Sequence, residues 1–259
     1  MICDSATRFG RAYAGAVVVC GSHGGVYPGY LAARSRVRAV VFSDAGVGKD
    51  RAGLGSLGYG EQLGMAVATA AHDSARIGDA ADILTRGRIS HANRPAQLLG
   101  VVPAMPVADA LERLADAADW RAEPPAYVEA RAVVRDEPGR PRVVCLDSVS
   151  LVGPEDVGQI VLTGSHGGLL GGEPAAALKV DALAALFNDA GIGIDDAGIG
   201  RLAALDQRRI AAATVDAMSA RIGEGRSTWQ DGVLSRVNAA AGAKGAAAGM
   251  PARAFAELF

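Results

Sequence analysis

The 259-residue chain is poor in aromatic residues, which make up 5% of it, and has only three cysteines. Cys3, Cys20 and Cys145 are too few, and odd in number, for the disulfide framework of a small secreted domain. An excess of either charge is also missing. With 26 basic and 28 acidic residues the formal net charge is -2, which leaves no electrostatic footprint for nucleic acid or an anionic membrane surface. No apolar run approaches the roughly 18 residues of a membrane span, and Met1-Ile2-Cys3-Asp4 lacks the basic and apolar regions of a signal peptide. These absences set the expectation of a cytoplasmic protein with neither nucleic acid nor membrane among its partners.

What the chain does contain is repetition. The pentapeptide Gly-Ser-His-Gly-Gly occurs at residues 21–25 and again at 164–168, each time after a short apolar run. Upstream, Asp4-Ser5 matches Asp147-Ser148. Downstream, Asp44-Ala45-Gly46-Val47-Gly48 matches Asp189-Ala190-Gly191-Ile192-Gly193, and Ser74-Ala75-Arg76-Ile77-Gly78 matches Ser219-Ala220-Arg221-Ile222-Gly223. Ser90, Asn93 and Met105-Pro106 likewise meet Ser235, Asn238 and Met250-Pro251. Each copy is about 110 residues long, an ordinary domain size and far above solenoid periods. The division expected is a first module at 1–107, a connector with one helix at 108–140 and a second module at 141–259.

Residues 16–20 and 159–163 read as buried strands entering glycine turns, with helices behind them around 30–33 and 174–178. Second strands follow at 38–42 and 182–187, so each copy predicts a right-handed parallel βαβ unit. Residues 61–72 and 205–218 have helical composition, 142–146 reads as a strand, and 107–120 as an amphipathic helix. The fold class is therefore α/β, with two tandem homologous modules related by a pseudo-two-fold, each a small, mainly parallel sheet with packed helices.

Functional loops of a parallel sheet gather at the carboxyl ends of its strands. The first strand of each module ends in Ser-His and the next in Asp, which predicts His23 beside Asp44 and His166 beside Asp189. A carboxylate there would fix the tautomer of a general base, and Ser22 and Ser165 are candidate nucleophiles or donors. Gly24, Gly25, Gly167 and Gly168 would offer amides to an oxyanion, while Arg76 and Arg221 would clamp a carboxylate or phosphate. A plainer reading stands beside this one: glycines for tight turns and close packing, serines as caps, arginines in structural ion pairs. Retention of the pentapeptide histidine in both copies favours function. His72 and His91 stand opposite Ala217 and Arg236 and carry less weight.

Several patterns fall short. Gly46-Val47-Gly48-Lys49-Asp50 lacks the Ser/Thr and the upstream glycine of a phosphate-binding loop, and Gly53-Leu54-Gly55-Ser56-Leu57-Gly58 leaves no strand. Cys20-Gly21-Ser22-His23-Gly24-Gly25 has the form of a nucleophile elbow, yet it is duplicated. His23, His166, Asp44 and Asp189 are metal-ligand types without local ligand spacing, so no cofactor is favoured and a divalent metal is the lesser alternative. The expected activity is hydrolase or lyase chemistry on a small, anionic, carboxylate-bearing carbonyl or amide compound. A non-catalytic small-anion or sensory module is the alternative, and self-association into a homo-oligomer is the remaining partner class.

Overall fold

Val17-Val18-Val19 and Val40-Val41 are β-branched and flanked by small residues, a composition suited to strands covered on both faces. In the computed structural model, which describes residues 1–259, they lie in the centre of a five-stranded sheet. Its order is β1 (Ile2–Cys3), β2 (Val17–His23), β3 (Ala39–Ser43), β4 (Ala66–Ala70) and β5 (Ile89–Ala92). The first four strands are parallel and β5 runs antiparallel to β4. On one face Val18, Val40, Phe42 and Val67 pack with Leu31 of α1 (Val26–Arg34) and Leu63 of α2 (Gly55–Leu63). On the other, Val19, Val41 and Ala68 meet Ile83 of α3 (Ala80–Arg86), Ala96 of α4 (Arg94–Leu98) and Leu114 of α5 (Val107–Leu114). The alternation of Val18 and Val19 between the faces is the two-residue period of a strand.

The second sheet has six strands in the order β11, β10, β9, β8, β7, β6. These are β6 (Arg131–Arg135), β7 (Val143–Leu146), β8 (Ile160–His166), β9 (Ala184–Asn188), β10 (Ala211–Val215) and β11 (Leu234–Val237). The inner four are parallel, and β6 and β11 are antiparallel edges. Leu202 and Leu205 of α6 (Arg201–Gln207) cover Val161 and Phe187 on one face. The other face carries α7 (Gly225–Asp231), α8 (Ala239–Gly242) and α9 (Ala252–Ala256), with Phe255 buried against Leu162 and Leu186.

The chain is thus α/β in two modules, with mostly parallel sheets and packed helices. Two compact units are Met1–Val47 with Arg51–Val128 and Gly193–Ala197, and Gly48–Asp50 with Glu129–Ile192 and Gly198–Phe259. No helix is long and apolar enough to cross a membrane.

The structure departs from the sequence expectations in places. The helix expected over 61–72 ends at Leu63, where Gly64 takes a left-handed φ of 75°, and Ala66–Ala70 is strand. Residues 205–218 likewise hold the end of α6 and then β10. Alanine favours helix locally, but all five β10 residues are buried between neighbouring strands, and burial wins. The helix expected at 174–178 is a single 3-10 turn, Pro174–Ala176, and α5 ends at Leu114, well before Trp120.

Candidate functional site

Most of the repeated polar residues make the same internal bond in both units. Asn93 Oδ1 accepts from the Val67 and Ala96 amides, and Asn238 Oδ1 from those of Ala212 and Ala241. Ser90 is bonded to Thr69 and Ser235 to Thr214. Ser22 and Ser165 are buried, each with Oγ accepting at 2.9 Å from a backbone amide, that of Ala6 or Val149. The glycines also serve packing. A Cβ on Gly24 would lie 2.6 Å from the Gly53 carbonyl oxygen and 2.8 Å from Thr69 Cγ2, and one on Gly167 would meet the equivalent Gly198 and Thr214. The Gly78 amide donates to the Gly21 carbonyl and the Gly223 amide to that of Gly164, so the two repeated glycine motifs hold each other.

The loops after β3 and β9 have an unusual backbone. Ala45, Gly46, Val47 and Gly48 all have positive φ, at 49°, 74°, 63° and 68°, and Ala190 to Gly193 repeat this at 52°, 74°, 63° and 72°. Each quartet is one left-handed turn, closed by the Val47 amide on the Asp44 carbonyl or the Ile192 amide on that of Asp189. L-residues resist this conformation by about 1–2 kcal/mol each, so something must hold it in place. The aspartate at the head of each loop does so. Asp44 Oδ1 accepts from the Gly46 amide at 3.1 Å and the His72 amide at 3.0 Å. Asp189 Oδ1 accepts from the Gly191 and Ala217 amides, both at 2.9 Å.

Here the copies diverge. His72 Nδ1 lies 3.0 Å from Asp44 Oδ1, whereas the matching position in the second unit is Ala217, with no side chain to bond. The Asp44 side chain is 4% exposed and that of His72 is 30% exposed, so a buried carboxylate orients a partly open imidazole. Burial drives both carboxyls upward. For Asp44 the bonds and charge of His72, together with Ser90, outweigh burial and hold it below the ordinary 3.8, whereas Asp189, with Ser235 and two amides but no histidine, stays above it. Asp44 therefore pairs with His72 and not, as expected, with His23. His72 has no histidine opposite it in the second copy, so it is marked in the sequence only by a difference between copies.

The other expected residues divide. His23 closes β2 with Ser43 as its ladder partner on β3, and its Nδ1 accepts from the Gly25 amide at 3.1 Å. Burial lowers its pKa to about 4, which makes it a neutral imidazole. His166 is buried, with Asn188 as its ladder partner. The Gly24 and Gly167 amides donate to the Ser43 and Asn188 carbonyls, and with Gly25 on His23 these amides are not the oxyanion donors expected of them. Gly168 stands next to Gly167 at the end of the same turn. Arg76 donates to Asp195 through Nε at 3.0 Å and Nη2 at 2.9 Å, and Arg221 meets Asp50 at 3.0 Å and Glu224 at 2.8 Å. Both arginines thus follow the ion-pair reading. Burial pushes the Cys20 and Cys145 thiols up to about 12, far from a thiolate at neutral pH. No group of three or more His, Cys, Asp or Glu side chains is arranged to hold a metal ion. No family model matches the chain, and no curated protein or solved structure matches it either.

Proposed function

We propose that the protein is an enzyme that performs acid–base chemistry on a small carbonyl or amide compound, as a lyase or hydrolase, with His72 as general base. The observation that carries this reading is the 3.0 Å contact between Asp44 Oδ1 and His72 Nδ1. An ionised carboxylate only accepts, so the ring proton sits on Nδ1 and the lone pair on Nε2, the nitrogen that takes a proton from substrate. With Ala217 in place of His72, the second unit keeps the loop but lacks the base. Anion binding as the main role draws less support, since Arg76 and Arg221 already face carboxylates. A substrate carboxylate would have to displace Asp195 from Arg76.

Turnover of a panel of small keto acids, aldehydes, amides and lactones by the purified protein tests the assignment. His72→Ala is expected to lower it by about 100- to 10,000-fold, the range for loss of a general base, with circular dichroism unchanged. Equal turnover by wild type and His72→Ala would remove the assignment.

A further inference from the structure

The two imidazoles at the carboxyl edge of the first sheet are held in opposite proton states. His72 faces a carboxylate oxygen through Nδ1, so Nδ1 carries the proton. His23 faces a backbone amide through Nδ1, at 3.1 Å. An amide N–H can only donate, so Nδ1 of His23 holds the lone pair and its single proton sits on Nε2. Gly25 is what allows this approach, because a Cβ there would lie 2.7 Å from both Nδ1 and Cε1 of the ring.

His23 ends β2 and His72 follows the end of β4, the two strands that flank β3 in the sheet. His23 is the ladder partner of Ser43, Ser43 is the partner of Ala70, and His72 follows two residues later. Two ladder steps put His23 roughly 10 Å from Ala70, and His72 stands two residues beyond that row. The two side chains therefore reach a common small molecule only by leaning towards each other over the Ser43 strand end. We infer that His23 serves the same site as a neutral hydrogen-bond donor through Nε2–H, and that the substrate is a carbonyl compound deprotonated by His72 at the carbon next to the carbonyl. This rests on the assignment of His72 as general base. In the step, His72 Nε2 takes the proton and the C–H electron pair becomes the C=C bond of an enolate. The carbonyl π pair moves onto oxygen, which accepts the His23 hydrogen bond. A neutral donor suits this role because it stabilises the oxyanion without the cost of holding a cation out of water. Burial of His23, which keeps it uncharged down to about pH 4, agrees with that state. The serines, with Oγ buried and bonded to Ala6 and Val149, make covalent catalysis the poorer alternative.

Two measurements on the full-length protein test the inference. Nitrogen-15 NMR of the imidazoles should find His23 neutral and protonated on Nε2 from pH 5.5 to 8, and His72 protonated on Nδ1. A proton on Nδ1 of His23, or a cationic ring at pH 6, overturns it. In D2O, deuterium wash-in beside the carbonyl of pyruvate, 2-oxobutyrate and dihydroxyacetone should fall about 100-fold or more in His23→Ala. His23→Gln should recover part of that loss, because its amide nitrogen reproduces a donor near Nε2. Exchange that needs His72 but not His23 overturns the donor role and leaves the enzyme reading standing, whereas exchange indifferent to His72 overturns the enzyme reading itself. No exchange on any of the three probes, with amide hydrolysis present or absent, overturns the substrate class.

Discussion

Asp44 and Asp189 occupy matching places in the two units, and the imidazole of His72 separates them chemically. Asp44 sits below its ordinary value of 3.8, so the folded state binds its proton less well than the unfolded chain. Its contribution to stability is full above pH 3.8 and is lost as the pH falls through the folded value. Asp189 sits above 3.8 because burial is only partly offset by Ser235 and two amides. Its sign is opposite: it favours the fold in acid, and that contribution disappears as the pH rises through the folded value. Asp189→Asn keeps an oxygen for the amides of Gly191 and Ala217 while removing the charge, and should leave stability at pH 7 equal or higher. Asp44→Asn should lower it at pH 7, with a deficit that fades below pH 3.8. Urea unfolding from pH 3 to 8 checks both, and parallel curves for the two variants would mean that His72 does not distinguish the carboxyls.

Among the elements, the clearest departure from expectation is the segment after the second pentapeptide. In the first unit the backbone amides of α1 satisfy its own carbonyls, while the matching stretch manages one 3-10 turn at Pro174–Ala176. Arg201 fills the gap. It is 1% exposed, and its guanidinium donates to the carbonyls of His166, Ala176 and Ala177 while lying over the Phe187 ring. Its counterpart is Ser56, whose buried hydroxyl makes no hydrogen bond in a unit where the helix is intact. Arg201→Met should destabilise by at least about 1–3 kcal/mol, the cost of one stranded buried acceptor, and should loosen residues 174–178 selectively in hydrogen exchange. A variant as stable as wild type would mean that these carbonyls find other donors. The first strands were legible from β-branched runs such as Val17-Val18-Val19, whose local preference agrees with their burial. Ala211-Ala212-Ala213 was not, because local preference says helix and only long-range pairing with β9 and β11 makes it strand. Arg201 was illegible for a similar reason: nothing nearby in sequence announces which carbonyls need it.

Across the whole molecule, duplication makes most of the architecture readable and says less about the site. Repeated residues such as Asn93 and Asn238, or Gly78 and Gly223, hold the same scaffold twice, so recurrence tracks folding more than chemistry. The Asp loops and His23 stand out by recurrence, while His72 stands out only as an exception. Installing that exception in the second unit is a direct test. Ala217 is backed by Gly48 much as His72 is backed by Gly193, so Ala217→His should place an imidazole against Asp189. NMR titration should then show Asp189 falling below 3.8, and a carboxyl that stays raised would refute the equivalence. One feature of the loops reaches into genetics. The Asp44 oxygen that holds His72 also clasps a left-handed turn, and the four non-glycine residues in the two quartets together resist their backbone by about 4–8 kcal/mol. Most substitutions at Asp44 therefore disturb the histidine and the winding of the loop together, and only Asp44→Asn, which keeps an oxygen for the Gly46 and His72 amides, removes the charge alone. Other losses at Asp44 would confound the two, while losses at His72 would not.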